Sequence, residues 1–132
     1  MTKMLEKIGF KKVGYWYGSN GDLKCKIECE DSYRSVNGLY CFVVDGEPEY
    51  IGIAKSSLQA RMKIYAEKHT GYQIVRNRNK IIEAINAEKE PQVYFMSNSN
   101  LLHENEIPID MSAGLISGLN DTLKPGWTIN RG

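Results

Sequence analysis

The sequence predicts a single α+β domain of 132 residues, in which a small central antiparallel β-sheet is flanked by helices. Three observations support this prediction: one strong β-hairpin pattern, three later stretches with apolar residues at helical spacing, and a composition typical of globular proteins. Hydrophobic residues make up 42% of the chain and charged residues 25%. This hydrophobic fraction is enough to form a core without stabilising disulfide bonds. Residues 1–37 are expected to add an extra N-terminal strand pair to a core at residues 38–132.

The hairpin is the clearest element of the sequence. A β-branched and aromatic run begins at Leu39, Asp45 and Gly46 give a turn signal, and the return strand ends at Ile53. A second turn signal, Ser-Asn-Gly-Asp, separates two runs nearer the N-terminus. The predicted strands are residues 10–17, 22–30, 39–44, 49–53 and 92–96.

Helical spacing follows the hairpin. Ser56 can cap a helix and Gln59 can complete a capping box, while Leu58, Met62 and Tyr65 share one face of that helix. A short helix is also predicted at residues 1–9. The other two predicted helices run from Asn79 to Glu88 and from Asp110 to a point before Pro125.

Charge and cysteine usage limit the function classes. The net charge is +1, so any binding to nucleic acid must come from a local basic patch. The chain has no apolar run of the ~20 residues that a membrane helix needs, and no secretory signal, which predicts a cytoplasmic protein without a membrane partner. Cys25 and Cys29 alternate with charged residues on a predicted strand. Buried, inert thiols explain this pattern better than a zinc site, which needs four ligands.

A candidate site lies where the hairpin meets the next helix. Tyr40 and Tyr50 are on the paired strands of the hairpin, and Arg61 and Tyr65 are on the apolar side of the helix. An arginine in such a place needs an anionic partner. A phosphate group matches the guanidinium fork, and an ion pair with a nearby glutamate is the plainer alternative.

A basic segment follows that helix. Cations interleaved with amides suit phosphate contacts combined with hydrogen bonds to base edges, whereas a solvated helix end is the alternative. The candidate DNA-binding residues are Lys63, Lys68, Gln73, Arg76, Asn77, Arg78 and Lys80.

Four motifs in this order resemble the GIY-YIG nuclease superfamily, in particular its small bacterial and phage members. Gly38-Leu39-Tyr40 is followed after nine residues by Tyr50-Ile51-Gly52. Leu58 and Arg61 then follow at the family's spacing, Tyr65 comes four residues later, and Lys-Pro-Gly-Trp127 resembles the last motif. The resemblance implies a DNA endonuclease that depends on Mg²⁺ or Mn²⁺. Tyr40 or Tyr50 would help to activate the attacking water, Arg61 would hold the scissile phosphate, and Tyr65 would support it.

The sequence departs from this family at two polar positions. Counting back from the terminal motif, the expected metal-binding glutamate falls at Ile116, and the terminal asparagine position is Thr128. Neighbouring positions on that helix face, Ser112 and Asn120, are not carboxylates either. Other candidate acids are Asp110, Glu104 and Glu106.

Three functions therefore remain open at this point. The first is a metal-dependent DNA endonuclease that is impaired at Ile116, and the second is a catalytically inactive DNA-binding module on the same fold. The third is a protein-interaction domain without a nucleic-acid partner, which gives no reason for an arginine beside paired phenols.

Overall fold

The computed structural model describes residues 2–29, 36–67, 71–97 and 113–128, and of residues 113–117 the backbone alone. The elements in these ranges are helix α1 (Thr2–Ile8), strands β1 (Lys11–Ser19), β2 (Asp22–Ile27), β3 (Gly38–Val44) and β4 (Glu47–Ala54), helices α2 (Leu58–Ala66) and α3 (Tyr72–Asn86), strand β5 (Gln92–Ser97) and helix α4 (Ala113–Leu123).

The five strands form one antiparallel sheet in the order β2-β1-β5-β3-β4. The predicted α+β class, with an antiparallel sheet flanked by helices, is therefore confirmed. The N-terminal strand pair joins the sheet directly, because β1 pairs with β5. Strand β5, the last of these five strands in sequence, lies in the centre of the sheet.

Two tight turns explain why the hairpins form where the sequence predicts them. Asn20 and Gly21 have φ of 51° and 81°, and Asp45 and Gly46 have φ of 53° and 77°. Positive φ at both central residues is the geometry of a type I′ turn, whose twist matches that of the flanking strands. Asparagine, aspartate and glycine adopt this geometry at the lowest cost.

The sheet has an apolar layer on each face. Tyr40 and Phe42 of β3 point to the face covered by α2 and α3, whereas Leu39, Cys41 and Val43 point to the face covered by α1 and α4. All seven residues of β3 are buried. Burial on both faces explains why this strand is continuously hydrophobic instead of alternating with polar residues.

The helix boundaries required corrections. Ser57, not Ser56, caps α2, since its hydroxyl accepts a hydrogen bond from the Ala60 amide at 3.0 Å. Helix α3 begins at Tyr72, seven residues before the predicted Asn79, and its N-cap Gly71 offers no side-chain signal. Helix α4 ends at Leu123, before Pro125 as predicted, and its predicted start at Asp110 lies outside the described residues. No helix in the described ranges is long and apolar enough to cross a membrane.

Candidate active site

Tyr40 is held at the centre of the site by the hairpin itself. It is 2% exposed, and its backbone lies opposite Gly52 of β4. A Cβ atom at position 52 would collide with the ring and hydroxyl of Tyr40. Glycine at position 52 therefore makes room for the Tyr40 ring, which explains a tyrosine and a glycine at these two paired positions.

The structure brings three phenols together on the face of the sheet that carries α2. The Tyr40 and Tyr65 hydroxyls are 2.7 Å apart, and the rings of Tyr40 and Tyr50 have centroids 6.1 Å apart. Tyr40 and Tyr65 are buried and Tyr50 is half-buried. The hairpin and the helix thus place Tyr50 at the more accessible end of the group.

Burial sets the protonation of these phenols. It raises the pKa of Tyr40 well above its usual range, with the charges of Tyr65 and Tyr50 acting in the same direction. It raises the pKa of Tyr50 to about 12 and also raises that of Tyr65. All three are neutral near pH 7, so they can donate and accept hydrogen bonds but do not supply a phenolate.

Arg61 supplies the positive charge of the site. It is half-buried on α2, one turn before Tyr65, and its charge acts to lower the pKa of all three phenols. The ion pairs seen among the described residues are Lys80 with Glu83 and Lys89 with Asp45, so Arg61 has no carboxylate partner in that part of the chain. A guanidinium with this environment suits an external anion.

A polar network behind Tyr65 was not recognised in the sequence. Asn77 is fully buried, and its Nδ2 donates to the Tyr65 hydroxyl at 3.2 Å. Gln73 Nε2 donates to Asn77 Oδ1 at 2.7 Å and to the Trp127 carbonyl at 2.9 Å. Asn77 was expected to contact DNA, and its complete burial corrects that expectation. Gln73 lies one helical turn before Asn77, a spacing that could have indicated this pair, whereas Tyr65 and Trp127 are on other segments and no local pattern indicates them.

Arg78 also faces the protein. One of its terminal nitrogens donates to the carbonyls of Tyr65 and Ala66, at 2.6 and 2.8 Å. These carbonyls are in the last turn of α2, where a helix leaves acceptors unsatisfied. Arg78, which the sequence predicted to contact DNA, therefore caps the C-terminal end of α2.

A different face of α3 is exposed. Tyr72 is 80% exposed and lines a surface cavity of about 490 Å³. The other lining residues are Val75, Arg76, Asn79, Lys80 and Glu83. Arg76 combines this position with a hydrogen bond from Nε to the Trp127 carbonyl at 3.0 Å. Lys63 is exposed on α2, and Lys68 lies outside the described residues.

The carboxylates needed for a metal ion are not found in the described ranges. No group of three His, Cys, Asp or Glu side chains there could hold a metal. The backbone of Ile116 is in α4, whereas Glu104, Glu106 and Asp110 lie outside the described residues. Asn120 Oδ1 is 3.5 Å from the hydroxyl of Thr128, so these two polar groups face one another.

Comparison with solved structures decides the fold. The chain superposes on a glutamate-to-alanine mutant of bacteriophage T4 EndoII with a TM-score of 0.70 and 17% identity, covering 98% of both chains. It superposes on the restriction endonuclease HPY188I in complex with product DNA with a TM-score of 0.54 and 17% identity, covering 73% of this chain and 60% of that one.

The chain has the fold of these two endonucleases, a GIY-YIG-like fold. No protein-family model matches the sequence, and no curated protein is significantly similar to it. The GIY-YIG fold is therefore supported by the structure and by the motifs, while overall sequence similarity is low.

The terminal motif also has a defined place in this GIY-YIG fold. The Trp127 ring lies beside the Phe42 ring, with centroids 6.2 Å apart. The backbone amide of Trp127 donates to the Glu49 carbonyl at 2.8 Å. The segment after α4 is thereby attached to the edge strand β4, next to Tyr50.

Proposed function

We propose that this protein is a DNA endonuclease of the GIY-YIG type, with phosphodiester hydrolysis that is impaired at its metal position. The observation that carries the proposal is the environment of the Arg61 side chain. This arginine is half-buried beside three neutral phenols and has no carboxylate partner in the described part of the chain. The similarity to two endonucleases of this fold supports a nuclease over other anion-binding proteins.

The site provides hydrogen-bond donors to a bound phosphodiester. The Arg61 guanidinium can bind two oxygens of one phosphate as a fork. The half-buried Tyr50 hydroxyl lies at the accessible end of the phenol group and can contact the same phosphate or the attacking water. Charge that develops on phosphate oxygens during hydrolysis is stabilised by such preorganised donors.

The DNA is proposed to continue along the exposed face of α3. Arg76 and Lys80 supply positive charge there, and the amide of Asn79 can reach base edges. Gln73 and Arg78 are committed to hydrogen bonds within the protein, so they support this face from behind. Lys63 extends the positive surface onto α2, and Lys68 remains a candidate for the same surface.

The described residues do not fit a divalent cation. A hard ion such as Mg²⁺ or Mn²⁺ takes oxygen ligands and usually at least one carboxylate, and isoleucine at position 116 offers none. We therefore propose that cleavage by the natural sequence is weak, with any required acid coming from Asp110, Glu104 or Glu106.

The isoleucine at position 116 also favours a second candidate function. If no acid replaces the one missing at Ile116, the protein is a DNA-binding module that holds a phosphodiester at Arg61 without cleaving it. Both candidates share the phosphate site, and they differ only in catalysis.

A nicking assay combined with a binding assay tests these candidates. Supercoiled plasmid is incubated with Mn²⁺ and the natural protein, with Arg61→Ala, and with Lys24→Ala as a control on the opposite edge strand β2. An endonuclease nicks the plasmid and loses about 10²–10³ in rate in Arg61→Ala, but not in Lys24→Ala.

Binding to a labelled DNA duplex is measured with the same three proteins. Binding that requires Arg61 without any nicking supports the DNA-binding module. Absence of both nicking and binding contradicts both candidates and favours the protein-interaction alternative.

A further inference from the structure

We propose that the Tyr72 ring stacks on one unpaired nucleobase, so that the DNA preferred by this protein carries a base outside the double helix. This inference rests on the proposed function for its DNA and adds a substrate class to it. The site is the surface cavity on α3, where the tyrosine ring contacts the base and two cations contact the backbone.

Tyr72 is exposed far beyond the other large apolar side chains of the described ranges. It is 80% exposed, whereas the values for Met4, Tyr17 and Val75 are 42%, 38% and 37%. Single exposed apolar residues are common on protein surfaces and need no partner. Val75, however, follows Tyr72 by one turn of α3 and lines the same cavity, so the two side chains form one apolar contact area.

Cations border this apolar area. Arg76 is one helical turn after Tyr72, and Lys80 is one turn after Arg76, both in the lining of the cavity. Arg76 Nε donates to the Trp127 carbonyl at 3.0 Å, which fixes the orientation of the guanidinium. Its two terminal nitrogens make no hydrogen bond within the described part of the chain, and they can bind phosphate oxygens as a fork. A fixed guanidinium beside an aromatic ring matches a nucleotide, which combines an anionic phosphate with a flat, uncharged base.

The base must be unpaired to reach the ring. In a duplex the faces of each base are covered by its neighbours, and a protein contacts only base edges and the backbone. A base outside the stack offers its face, which stacks on aromatic side chains with little dependence on sequence. The cavity of about 490 Å³ lies within the range of roughly 300–1,000 Å³ that is typical of small-ligand sites, so it can receive one base.

Glu83 limits the length of the site. It lies three turns after Tyr72 on α3, and its carboxylate is 3.7 Å from the Lys80 amine. A further phosphate there would meet negative charge, so the surface that favours DNA ends near Lys80. The helix rises by roughly 12 Å from Tyr72 to Lys80, at about 1.5 Å per residue. This length suits a few nucleotides around one extruded base.

The terminal motif connects this cavity to the candidate active site. The Trp127 carbonyl accepts from Arg76, and the Trp127 amide donates to the carbonyl of Glu49, the residue directly before Tyr50. Trp127 therefore lies between the two surfaces, within one hydrogen bond of each. One DNA strand can contact both the cavity and the phosphate site at Arg61.

Fluorescence of a single base tests the stacking directly. The probe is a short single-stranded oligonucleotide with one 2-aminopurine between two abasic nucleotides, so that this base has no neighbour to stack on. The natural protein should quench its emission at saturation, and Tyr72→Trp should quench it at least as strongly. Tyr72→Ser should leave the emission close to that of the free oligonucleotide. Tyr17→Ser removes the exposed tyrosine of β1 and should quench like the natural protein.

Affinity for three DNAs tests the preference. They are a fully paired duplex, the same duplex with one extra unpaired base, and the same duplex with an abasic nucleotide in place of the extra base. The natural protein should bind the second about tenfold more tightly than the other two, which is the size of one stacking contact between a base and an aromatic ring. Tyr72→Ser should lose this preference without weaker binding to the paired duplex, and Tyr72→Trp should keep it.

Quenching or a preference of equal size in Tyr72→Ser overturns the inference, and so does equal affinity of the natural protein for the three DNAs. If equal affinities are accompanied by a change in the molar mass of Tyr72→Ser in light scattering, the face is a contact between protein chains instead.

The proposed function is judged separately through Arg61. Binding of the paired duplex that requires Arg61, without a preference for the unpaired base, keeps the proposed function and removes the inference. A preference for the unpaired base in a protein whose binding does not weaken in Arg61→Ala keeps the inference and removes the phosphate site. Absence of binding to every DNA removes both.

Discussion

Gly52 shows how a single residue of the hairpin determines the site. An alanine Cβ at this position would meet the ring and hydroxyl of Tyr40, which is too buried to move into solvent. We expect Gly52→Ala to destabilise the protein by about 1–3 kcal/mol, the usual cost of overpacking a core. It should also break the hydrogen bond between Tyr40 and Tyr65.

Gly18→Ala is the matched control, because a Cβ there would have its nearest neighbour, Ile85, at an ordinary 3.9 Å. Urea unfolding of both variants measures the difference. Equal stabilities would show that the contact between Gly52 and Tyr40 does not constrain the hairpin.

The raised pKa of Tyr50 predicts instability at alkaline pH. An unfolded tyrosine loses its proton at pH ~10, whereas burial raises the pKa of folded Tyr50 to about 12. From pH ~10 upward the unfolded chain releases this proton while the folded protein retains it, so stability present below pH ~10 is progressively lost.

Tyr50→Phe lacks the ionisable group, and its free energy of unfolding should fall less steeply over this range. Tyr17→Phe, at an exposed tyrosine, serves as the control. Denaturant unfolding at a series of pH values measures the slopes, and parallel slopes for the natural protein and Tyr50→Phe would contradict the prediction.

The same residues show the limits of sequence reasoning. Tyr40, Tyr50 and Tyr65 could be placed together because strand pairing and helical spacing are local patterns. Asn77 could not, since a polar residue between two arginines indicates a surface. Gln73 is a helical neighbour of Asn77, but the burial of Asn77 also depends on Tyr65 and Trp127, which only the folded chain brings to this helix.

Among the elements, α3 presents two different faces. One face carries Asn77 and Arg78 toward α2, and the other exposes Tyr72 and Lys80. The first two turns of α3 were missed in the sequence because they have no capping side chain and an exposed aromatic at the start. The apolar stripe that predicted the helix begins only near Ile81.

The two faces of α3 should respond differently to mutation. Arg78→Ala removes both hydrogen bonds to the last carbonyls of α2, which should cost about 1–3 kcal/mol of stability. Lys80→Ala removes only a partly exposed ion pair with Glu83 at 3.7 Å, worth about 0–1 kcal/mol.

For DNA binding, we expect Lys80→Ala to have the larger effect and Arg78→Ala the smaller one. Lys80→Ala should reduce the slope of log affinity against log salt by about 0.9, the value for one lost phosphate contact. Thermal unfolding and salt titrations of both variants measure these effects. A stable Arg78→Ala protein with a reduced salt slope would place Arg78, and not Lys80, on the DNA.

For the whole molecule, the hairpins and layers could be predicted but the order of the strands could not. Nothing in the sequence indicates that β5 inserts between β1 and β3, because those contacts are distant in the chain. The resulting sheet places the N-terminal strands at one edge and β4 at the other. Helix α4 packs near that second edge through Leu119 and Leu123, and the Trp127 segment follows it.

This arrangement makes position 116 of α4 the decisive test of catalysis. Ile116→Glu would restore a carboxylate where the family resemblance expects a metal ligand, and we expect the variant to gain Mn²⁺ affinity and nicking activity. Thr122→Glu is the control, because it adds the same charge to an exposed position of the same helix. Calorimetric titration with Mn²⁺ and plasmid nicking measure the two gains.

The gain of nicking should disappear when Arg61→Ala is added, since a restored metal site still needs the phosphate held in place. Gains of equal size in Thr122→Glu would point to nonspecific attraction of the cation. Robust cleavage by the natural protein, abolished by substitution of Glu104, Glu106 or Asp110, would show that the acid has moved along the chain. In that case Ile116 marks a relocated metal site and not a lost one.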